Sequence, residues 1–448
     1  VHDSSALPVR ASACPGLLRI VASRDGGICR IKLPCGQLDA RAARAIALAA
    51  ERHADSVLEA TNRANLQIRG VHAGAENALS RELLAAGLGP RELAADDVRN
   101  LLVSPAIGLD AATAFDAAPL ARQLLDLLER TPRFHGLSAK FGVHLDGGEA
   151  MAMLEHPNDI WLSAMSDDKA PLFAFGLAGC PPQQETDRPA LAAVTTERLP
   201  LLVEALLHLF LDLAGDGQTR MRHLREMLGD EVLLEHLQQR LPFALQLGPT
   251  VDNWRRPAPA AFGHLGICPQ RQPERVMVGA GFVLGRLDSS TLFGLAELAE
   301  RFSGGQLRLT PWQSLILPDV AQVDAAIVLA TLGNLGLLID PAQPLSRIVA
   351  CSGSSGCARG LADTKADALR LAERLHHTPP DGVHLCGCPR SCAAAHVVPY
   401  TLLAVADGRY DLFRRADGVA GFGQPLARNL SLDAAGDLLA APGASIDA

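Results

Sequence analysis

The stretch GQLDARAARAIALAAERHADSVLEATNRANLQIRGV, residues 36–71, has a second version in the same chain: GRLDSSTLFGLAELAERFSGGQLRLTPWQSLILPDV, residues 285–320. The two align without a gap at an offset of 249. Eleven of the thirty-six positions are identical, among them Gly-x-Leu-Asp, Ala-Glu-Arg and the pair Thr61/Thr310. Each copy parses the same way. A strand comes first (residues 28–33 and 276–283), then a Gly-x-Leu-Asp turn. Asp39 or Asp288 stands where an N-cap belongs, ahead of apolar residues at helical spacing. A short strand closes each unit, at residues 66–71 and 314–317. The alternative is two unrelated strand–helix–strand units in a large α/β chain. A period this long does not belong to a solenoid. It predicts duplication of a half-protein, with the halves facing each other across a pseudo-two-fold axis.

At 448 residues the chain exceeds the roughly 250–300 residues at which single cores stop growing, so at least two domains are expected. Hydrophobic residues are 48% and charged residues 20%, an ordinary globular balance that excludes wholesale disorder. Forty-one basic against 49 acidic residues leave a net charge of −8, and aromatics are only 4%. Neither the electrostatic footprint nor the stacking platforms of a nucleic-acid binder are present, so no nucleic-acid partner is expected. Lysine occurs four times, at Lys32, Lys140, Lys169 and Lys365. The most apolar run, residues 199–214, carries Glu204, His208 and Asp212 and reads as an amphipathic helix, not a membrane span. The first fifteen residues lack the apolar core of a signal peptide. The expected compartment is the cytoplasm, where ten cysteines act as ligands or buried thiols more readily than as disulfides.

Between the copies the pattern gives a helix near residues 119–130 and a strand within AKFGVHLD from Ala139. A Pro/Gln-rich loop at Pro181 and helices over residues 198–241 follow. RRPAPAA, residues 255–261, reads as the linker between halves. The second half runs to a strand-rich segment, with an unstructured tail after Ala441.

Four cysteines form the strongest chemical signal. Cys351 and Cys357 stand in ACSGSSGCARG as C-x5-C; Cys388 and Cys392 stand in GCPRSCA as C-x3-C, thirty intervening residues later. Thiolates are soft donors that suit iron–sulfur clusters or zinc. Gly353, Gly356 and Gly387 let the backbone approach a cluster closely, and Pro389 fixes the second loop. Structural zinc favours tighter knuckles in both pairs, so C-x5-C argues mildly against it. On the residues alone a cluster, zinc and buried free thiols all stay open, and the adjacent Cys386 competes for the assignment. Cys14, Cys29, Cys35, Cys180 and Cys268 lack partners at ligand spacing and read as small buried hydrophobes.

C-x5-C followed by GCPxSCA resembles the cluster-binding half of the siroheme-dependent nitrite and sulfite reductases, and the Gly36 and Gly285 units resemble that family's paired ferredoxin-like half-domains. TNRANLQIRGV at Thr61 and DVRN at Asp97 resemble two further motifs, so the likeness runs from about Cys14 onward. It implies an α+β, pseudo-two-fold fold. Its parts would be a first ferredoxin-like half-domain (14–80), a first reductase-like tetrapyrrole-binding domain (81–250), a second half-domain (262–330) and a second reductase-like domain carrying the cluster (331–440). It implies that Cys351, Cys357, Cys388 and Cys392 hold a 4Fe-4S cluster, and that Cys392 bridges to the iron where siroheme is bound. It also implies that Arg63, Gln67, Arg69, Arg99, Asn100 and Lys140 bind a tetrapyrrole, with Arg63, Arg99 and Lys140 in the catalytic set. A macrocycle rimmed with carboxylates needs several cations, and the guanidinium fork suits carboxylate; taken singly, each residue also reads as a surface charge.

One departure matters. The reductases carry Lys-x-Lys where this chain has Lys140-Phe141-Gly142, and Gly142 supplies neither proton nor charge to a bound anion. A shorter branch, the precorrin-3B synthases of aerobic cobalamin biosynthesis, is similar in ACPGLLRI at Ala13, GGICRIKLP at Gly26 and RLTPWQSLIL at Arg308. There the tetrapyrrole, precorrin-3A, is substrate. O2 hydroxylates C20 and the ring A acetate closes a γ-lactone. That likeness implies a mononuclear non-haem iron beside the cluster and NADH-derived electrons arriving through a separate reductase or ferredoxin-like carrier; the internal duplication favours a monomer. His135, His144 and Asp146 have facial-site chemistry near Lys140, but among fourteen histidines this proximity assigns no ligand. The run GAGFVLG at Gly279 has the wrong spacing for a dinucleotide loop and falls in a predicted strand. The alternative is a siroheme-dependent sulfite or nitrite reductase.

Overall fold

In a computed structural model of the chain, residues 12, 14–166, 168–375, 382–416 and 419–440 are described. Ala13 and the tail after Ala441 lie outside them.

The two repeats build two five-stranded sheets, and each sheet is completed by the other repeat. The first runs Val21–Ser23, Gly26–Ile31, Leu66–Val71, Val57–Ala60 and then Arg286–Asp288; the second runs Gly266–Pro269, Arg275–Gly281, Ser314–Ala321, Gln306–Leu309 and then Gln37–Asp39. The Gly-x-Leu-Asp segments, expected as turns, are therefore short strands exchanged between halves. Leu38 pairs with Leu307 and Leu287 with Leu58, and all four side chains are buried. Asp39 then accepts the Ala42 N–H and Asp288 the Thr291 N–H, each at 2.7 Å, capping the helices Ala40–His53 and Ser289–Phe302 as the sequence predicts. These helices pack together in one continuous core.

The backbone carries the duplication further than the side chains do. Left-handed conformations recur at the same offset of 249 in Cys35/Leu284, Gly36/Gly285, Ser56/Gly305, Ala64/Gln313 and Gly70/Asp319. Most side chains disfavour that region, so five shared positions, four of them with different residue types, mark one ancestral chain path. Gly36 shows the constraint: at φ 69° a Cβ would lie 2.5 Å from the Leu309 carbonyl. The left-handed Cys35 and Leu284 also end the preceding strands at Ile31 and Gly281, earlier than expected. GAGFVLG thus runs from strand into a 3-10 turn and opens no helix.

The other two sheets match each other: Leu101–Val103, Val143–Asp146, Asn158–Ala164, Leu172–Gly179 and Ala192–Thr195 in one; Ile348–Ala350, Val383–Cys386, Tyr400–Ala406, Arg409–Arg414 and Gln424–Ser431 in the other. In each the first three strands are parallel and the rest antiparallel. His144 and His384 occupy equivalent buried positions on the second strands. Helices Leu199–Leu213, Met221–Leu228 and Asp230–Gln238 contribute to the core of the first sheet, and Thr364–Arg374 and Leu432–Ala440 to that of the second. No helix among the described residues is long and apolar enough to cross a membrane.

Buried charge fastens the halves together. Glu59 receives Arg286 of the exchanged strand at 3.0 Å, Arg69 at 3.3 Å and Lys365 of the Thr364–Arg374 helix at 3.6 Å. The segment expected as a linker has no regular structure, yet it is no loose tether. Arg256 is buried, binds Asp146 through two bonds of 2.7 and 3.0 Å, and donates to the Glu149 carbonyl at 2.6 Å. Burial opposes the Asp146 charge, but Arg256, His144 and Ser163 outweigh it and hold its pKa below the usual carboxylate range.

Arg256→Ala leaves that buried carboxylate uncompensated and should cost about 3–5 kcal/mol by denaturant titration. Because the folded pKa of Asp146 lies below its unfolded value, the pair's contribution is present above roughly pH 4 and is lost as pH falls through the folded pKa. The gap between wild type and variant should therefore shrink in acid. An unchanged midpoint at pH 7 would show that the connector is passive.

Candidate functional site

Parallel strands Ile348–Ala350 and Val383–Cys386 lie side by side, and both cysteine loops leave their C-terminal ends, so topology brings C-x5-C and C-x3-C together. The Gly387 N–H donates to Cys351 Sγ at 3.2 Å, and the Thr364 hydroxyl lies 3.5 Å from the same sulfur. A Cβ on Gly353 would fall 2.6 Å from the Thr364 nitrogen, which accounts for a glycine there. Burial pushes the Cys392 thiol up, and Cys388, Cys351 and Cys357 push it further, so the four sulfurs share one neighbourhood. Cys386 differs: it is buried, its thiol donates to the Cys388 carbonyl at 2.8 Å, and burial first of all pushes it up to about 12. Four thiols on backbone-rich loops with an N–H aimed at sulfur fit a 4Fe-4S cluster, which gives each thiolate its own iron.

Single-ion sites are another matter. Among the described residues no three His, Cys, Asp or Glu side chains could hold one metal ion. His135 bonds the Glu129 carbonyl at 2.8 Å and Asp146 is occupied by Arg256, so His135, His144 and Asp146 form no facial site.

The loop at residues 61–65 connects the first half to the cysteines. Thr61 Oγ1 accepts the Arg63 and Asn65 N–H groups, shaping the turn, and Asn62 donates to the Cys392 and Ala393 carbonyls at 3.3 Å each. Among the described residues the Arg63 guanidinium is held only by a 3.4 Å contact to Asn158. Burial lowers its pKa to about 10; Arg220 lowers it too, Asp159 opposes and Arg30 adds. Arg30 donates to Gln67 at 2.9 and 3.3 Å and lies within electrostatic range of Cys392. Arg220 is anchored on Asp159 at 2.9 and 3.0 Å, and Asp159 also accepts the Gly142 and Met221 N–H groups. Three guanidiniums, with Asp159 bonded to Arg220 and within electrostatic range of Arg63, make a ready site for an anionic ligand. A Cβ on Gly142 would lie 2.8 Å from both Arg63 Nη1 and Asn158 Oδ1, so any side chain at 142 displaces Arg63.

Of the expected binding residues, Arg63 and Gln67 meet at this site. Arg69 does not: it is buried, binds Asp25 at 2.8 and 2.9 Å and Glu59 at 3.3 Å, and donates to the Gly356 carbonyl, so it fastens the cysteine loop from behind. Arg99 is likewise internal, between Asp96 at 3.5 Å and Glu129 at 3.8 Å. Asn100 donates to the carbonyls of Asp97, Ala139 and Phe141 and clips the loop that bears Lys140. Lys140 itself is exposed. Arg30, Arg220, Asn62 and Asn158 escaped the sequence reading. Only Arg30 left a usable trace, through its cross-strand register with Gln67. The duplication does not repeat the site: the counterparts of Arg63, Gln67 and Arg69 at +249 are Trp312, Ile316 and Pro318, and Trp312 stacks on His264 with centroids 4.6 Å apart.

Comparison with known proteins agrees with this layout. Residues 94–245 match the nitrite and sulphite reductase 4Fe-4S domain, and residues 21–86 and 269–335 match the nitrite/sulfite reductase ferredoxin-like half domain. The four cysteines lie beyond those spans, on the second sheet of the same topology. The chloroplastic ferredoxin–nitrite reductase of Zea mays is 31% identical over 392 residues, covering 82% of this chain and 68% of that protein. The corresponding Arabidopsis thaliana enzyme is 30% identical, and the chain spans 65% of its length. A precorrin-3B synthase from Sinorhizobium sp is 28% identical over 406 residues, covering 89% of this chain and 82% of that one. The structure of Mycobacterium tuberculosis NirA superposes with a TM-score of 0.75 over 92% of this chain and 79% of its own, at 22% identity, and thus shares the fold.

Cys351→Ser and Cys388→Ser should each abolish the visible absorbance of a reconstituted cluster. Cys386→Ser should keep it and lose only stability. The opposite pattern between 386 and 388 would reassign the ligand.

Proposed function

Because the chain belongs to the nitrite and sulfite reductase family, we propose that its basic pocket beside Cys392 takes a tetrapyrrole as substrate, and that it is a precorrin-3A monooxygenase (precorrin-3B synthase) of aerobic cobalamin synthesis. The observation that carries this reading is that Arg63 Nη1 lies 2.8 Å from where the Cβ of a side chain at position 142 would stand. With Arg63 in its present place there is no room for a second lysine, the group that would charge and protonate a small bound anion. What the pocket offers is guanidinium, which suits the acetates and propionates on a macrocycle's rim. The alignment with the Sinorhizobium precorrin-3B synthase also spans more of both chains than that with the maize enzyme.

Cys351, Cys357, Cys388 and Cys392 would hold the 4Fe-4S cluster, which supplies single electrons when bound. Arg63, Arg30 and Arg220 orient the substrate. Burial and mutual repulsion lower the Arg63 pKa, and an arriving carboxylate relieves both, so the cations are set for an anion before it binds. In the net reaction a C20–O bond forms and the O–O bond of O2 breaks. The second oxygen atom leaves as water after taking up two electrons and two protons. Electrons come from a ferredoxin-like carrier or reductase, in keeping with the plant and cyanobacterial relatives, which are ferredoxin–nitrite reductases. The reading includes a monomer, which the duplication of half-domains within one chain favours. The mononuclear iron that the precorrin-3B synthase likeness implies has no three-ligand set among the described residues, and no step here uses it. Siroheme-dependent nitrite reduction is the second reading, favoured by the higher identity to the plant enzymes.

Protein with its cluster reconstituted, given precorrin-3A, 18O2 and a reductant, should yield a product heavier by one labelled oxygen. Ammonia formed from nitrite, with precorrin-3A unconverted, would replace this reading with the second. Arg63→Met should weaken macrocycle binding by roughly 1.5–3 kcal/mol, about ten- to hundred-fold, in an absorbance titration. Arg69→Met should instead leave affinity within a few-fold and lower stability, because Asp25 and Glu59 lose their partner.

A further inference from the structure

Buried polar atoms without a partner concentrate in one region. Among the described residues, eight buried side-chain nitrogens and oxygens have no hydrogen bond, and five are imidazole nitrogens: those of His144, His156, His384 and His396, and that of His223 on the helix Met221–Leu228. Another, Thr401 Oγ1, belongs to the residue paired in register with His384. His144, His156 and His384 are at most 2% exposed.

These histidines join the two halves. His144 and His384 are the equivalent residues of the two parallel-strand sheets. His156 and His396 lie between them, with ring centroids 5.1 Å apart. His156 is within electrostatic range of His144 and Arg63, and His384 is within range of His396. At the outer end His396 Nε2 lies 3.7 Å from Glu155, a half-exposed carboxylate that Arg415 holds at 2.8 Å and that lines an open pocket of about 340 Å³. At the inner end Asn158 accepts from Arg63 and donates to the His156 carbonyl.

Chemistry narrows what fills this space. Burial, first of all, holds His144 and His384 down at about 4 and His156 well below its ordinary value, so each ring is neutral, with one N–H and one lone pair. An unpaired ring nitrogen in a protein interior is costly, and no three of these rings could share one ion. Internal water, which donates and accepts, satisfies both kinds of ring nitrogen at once. Neutral imidazoles linked by water pass a proton by taking it at one nitrogen and releasing it from the other. The Arg63 pocket needs such a supply: guanidiniums keep their protons, Asp159 is fully engaged, and Gly142 has none to give.

We propose that His396, His156 and His144, bridged by internal water, form a proton path from the Glu155 surface to the Arg63 pocket, with His384 a branch on the cysteine side. The proposal rests on the reading of that pocket as the seat of a proton-consuming reaction, and its test does not require turnover.

In full-length protein labelled with 15N-histidine, the ring N–H groups of His144 and His156 should exchange with solvent. His396→Phe should slow both by roughly an order of magnitude, with His396→Gln intermediate, while exposed His72 is unchanged. Equal rates at His144 and His156 in all three proteins, or protection in wild type matching the core amides, would overturn the path. So would stoichiometric Co2+ bound by these rings with a ligand-field spectrum. In turnover, His396→Ala should lower kcat about ten-fold at unchanged KM and be rescued by added imidazole; absence of rescue would make His396 merely structural. If wild type turns over neither precorrin-3A nor nitrite, the reaction reading falls and the exchange rates still decide the path.

Discussion

One buried carboxylate holds the arrangement in register. Glu59 lies where the second repeat lends its strand to the first sheet, and it is ringed by three cations from three places. Arg69 comes from its own sheet, Arg286 from the exchanged strand, and Lys365 from the helix behind the cysteine loops. Burial alone would favour the neutral acid; Lys365, Arg69 and Arg286 outweigh it and keep the charge. Arg69 extends the link to Asp25 and the Gly356 carbonyl, and Lys365 to the carbonyls of Leu284 and Ala350. The strand exchange and the placement of the cysteine loops therefore share one electrostatic knot. Breaking a knot of this kind strands a charge, which costs far more than a surface pair.

The repeat and both helix caps were legible because they are local: a spacing, an aspartate, an apolar stripe. The exchange was not, since Leu38 and Leu287 bury themselves equally well whichever half they pair with. The left-handed positions were hidden for a related reason. Ser56 matches Gly305 and Cys35 matches Leu284, so residue type gives no hint of a shared backbone conformation. The second pair of sheets shows the limit most clearly: His144 and His384 are equivalent in space, yet no alignment of their strands stands out in the sequence.

The site divides along the same line. Cysteine spacing pointed to two loops that leave adjacent strands, and the TNRANLQ motif pointed to Arg63 and Gln67, which the fold places beside Arg30. Arg69 and Arg99 lie on motif positions too, but a motif says nothing about whether a guanidinium already has an internal partner. Arg30 and Arg220 sit on unremarked positions and become visible only once the fold sets them beside Arg63. The result is a chain of net charge −8 that concentrates buried cations at one of two related places. At the other, Trp312, Ile316 and Pro318 leave nothing for an anion, so the duplicated backbone yields a single basic pocket.

A basic pocket next to cysteine loops serves a resident cofactor or a passing substrate equally well in outline. Under the proposed function the macrocycle comes and goes. The most direct measurement is the absorption spectrum of protein purified anaerobically from a siroheme-producing host, with iron, sulfide and extractable tetrapyrrole assayed on the same sample. A broad cluster band with no siroheme is the predicted result. Siroheme at one per chain would contradict the account and make the pocket a cofactor site.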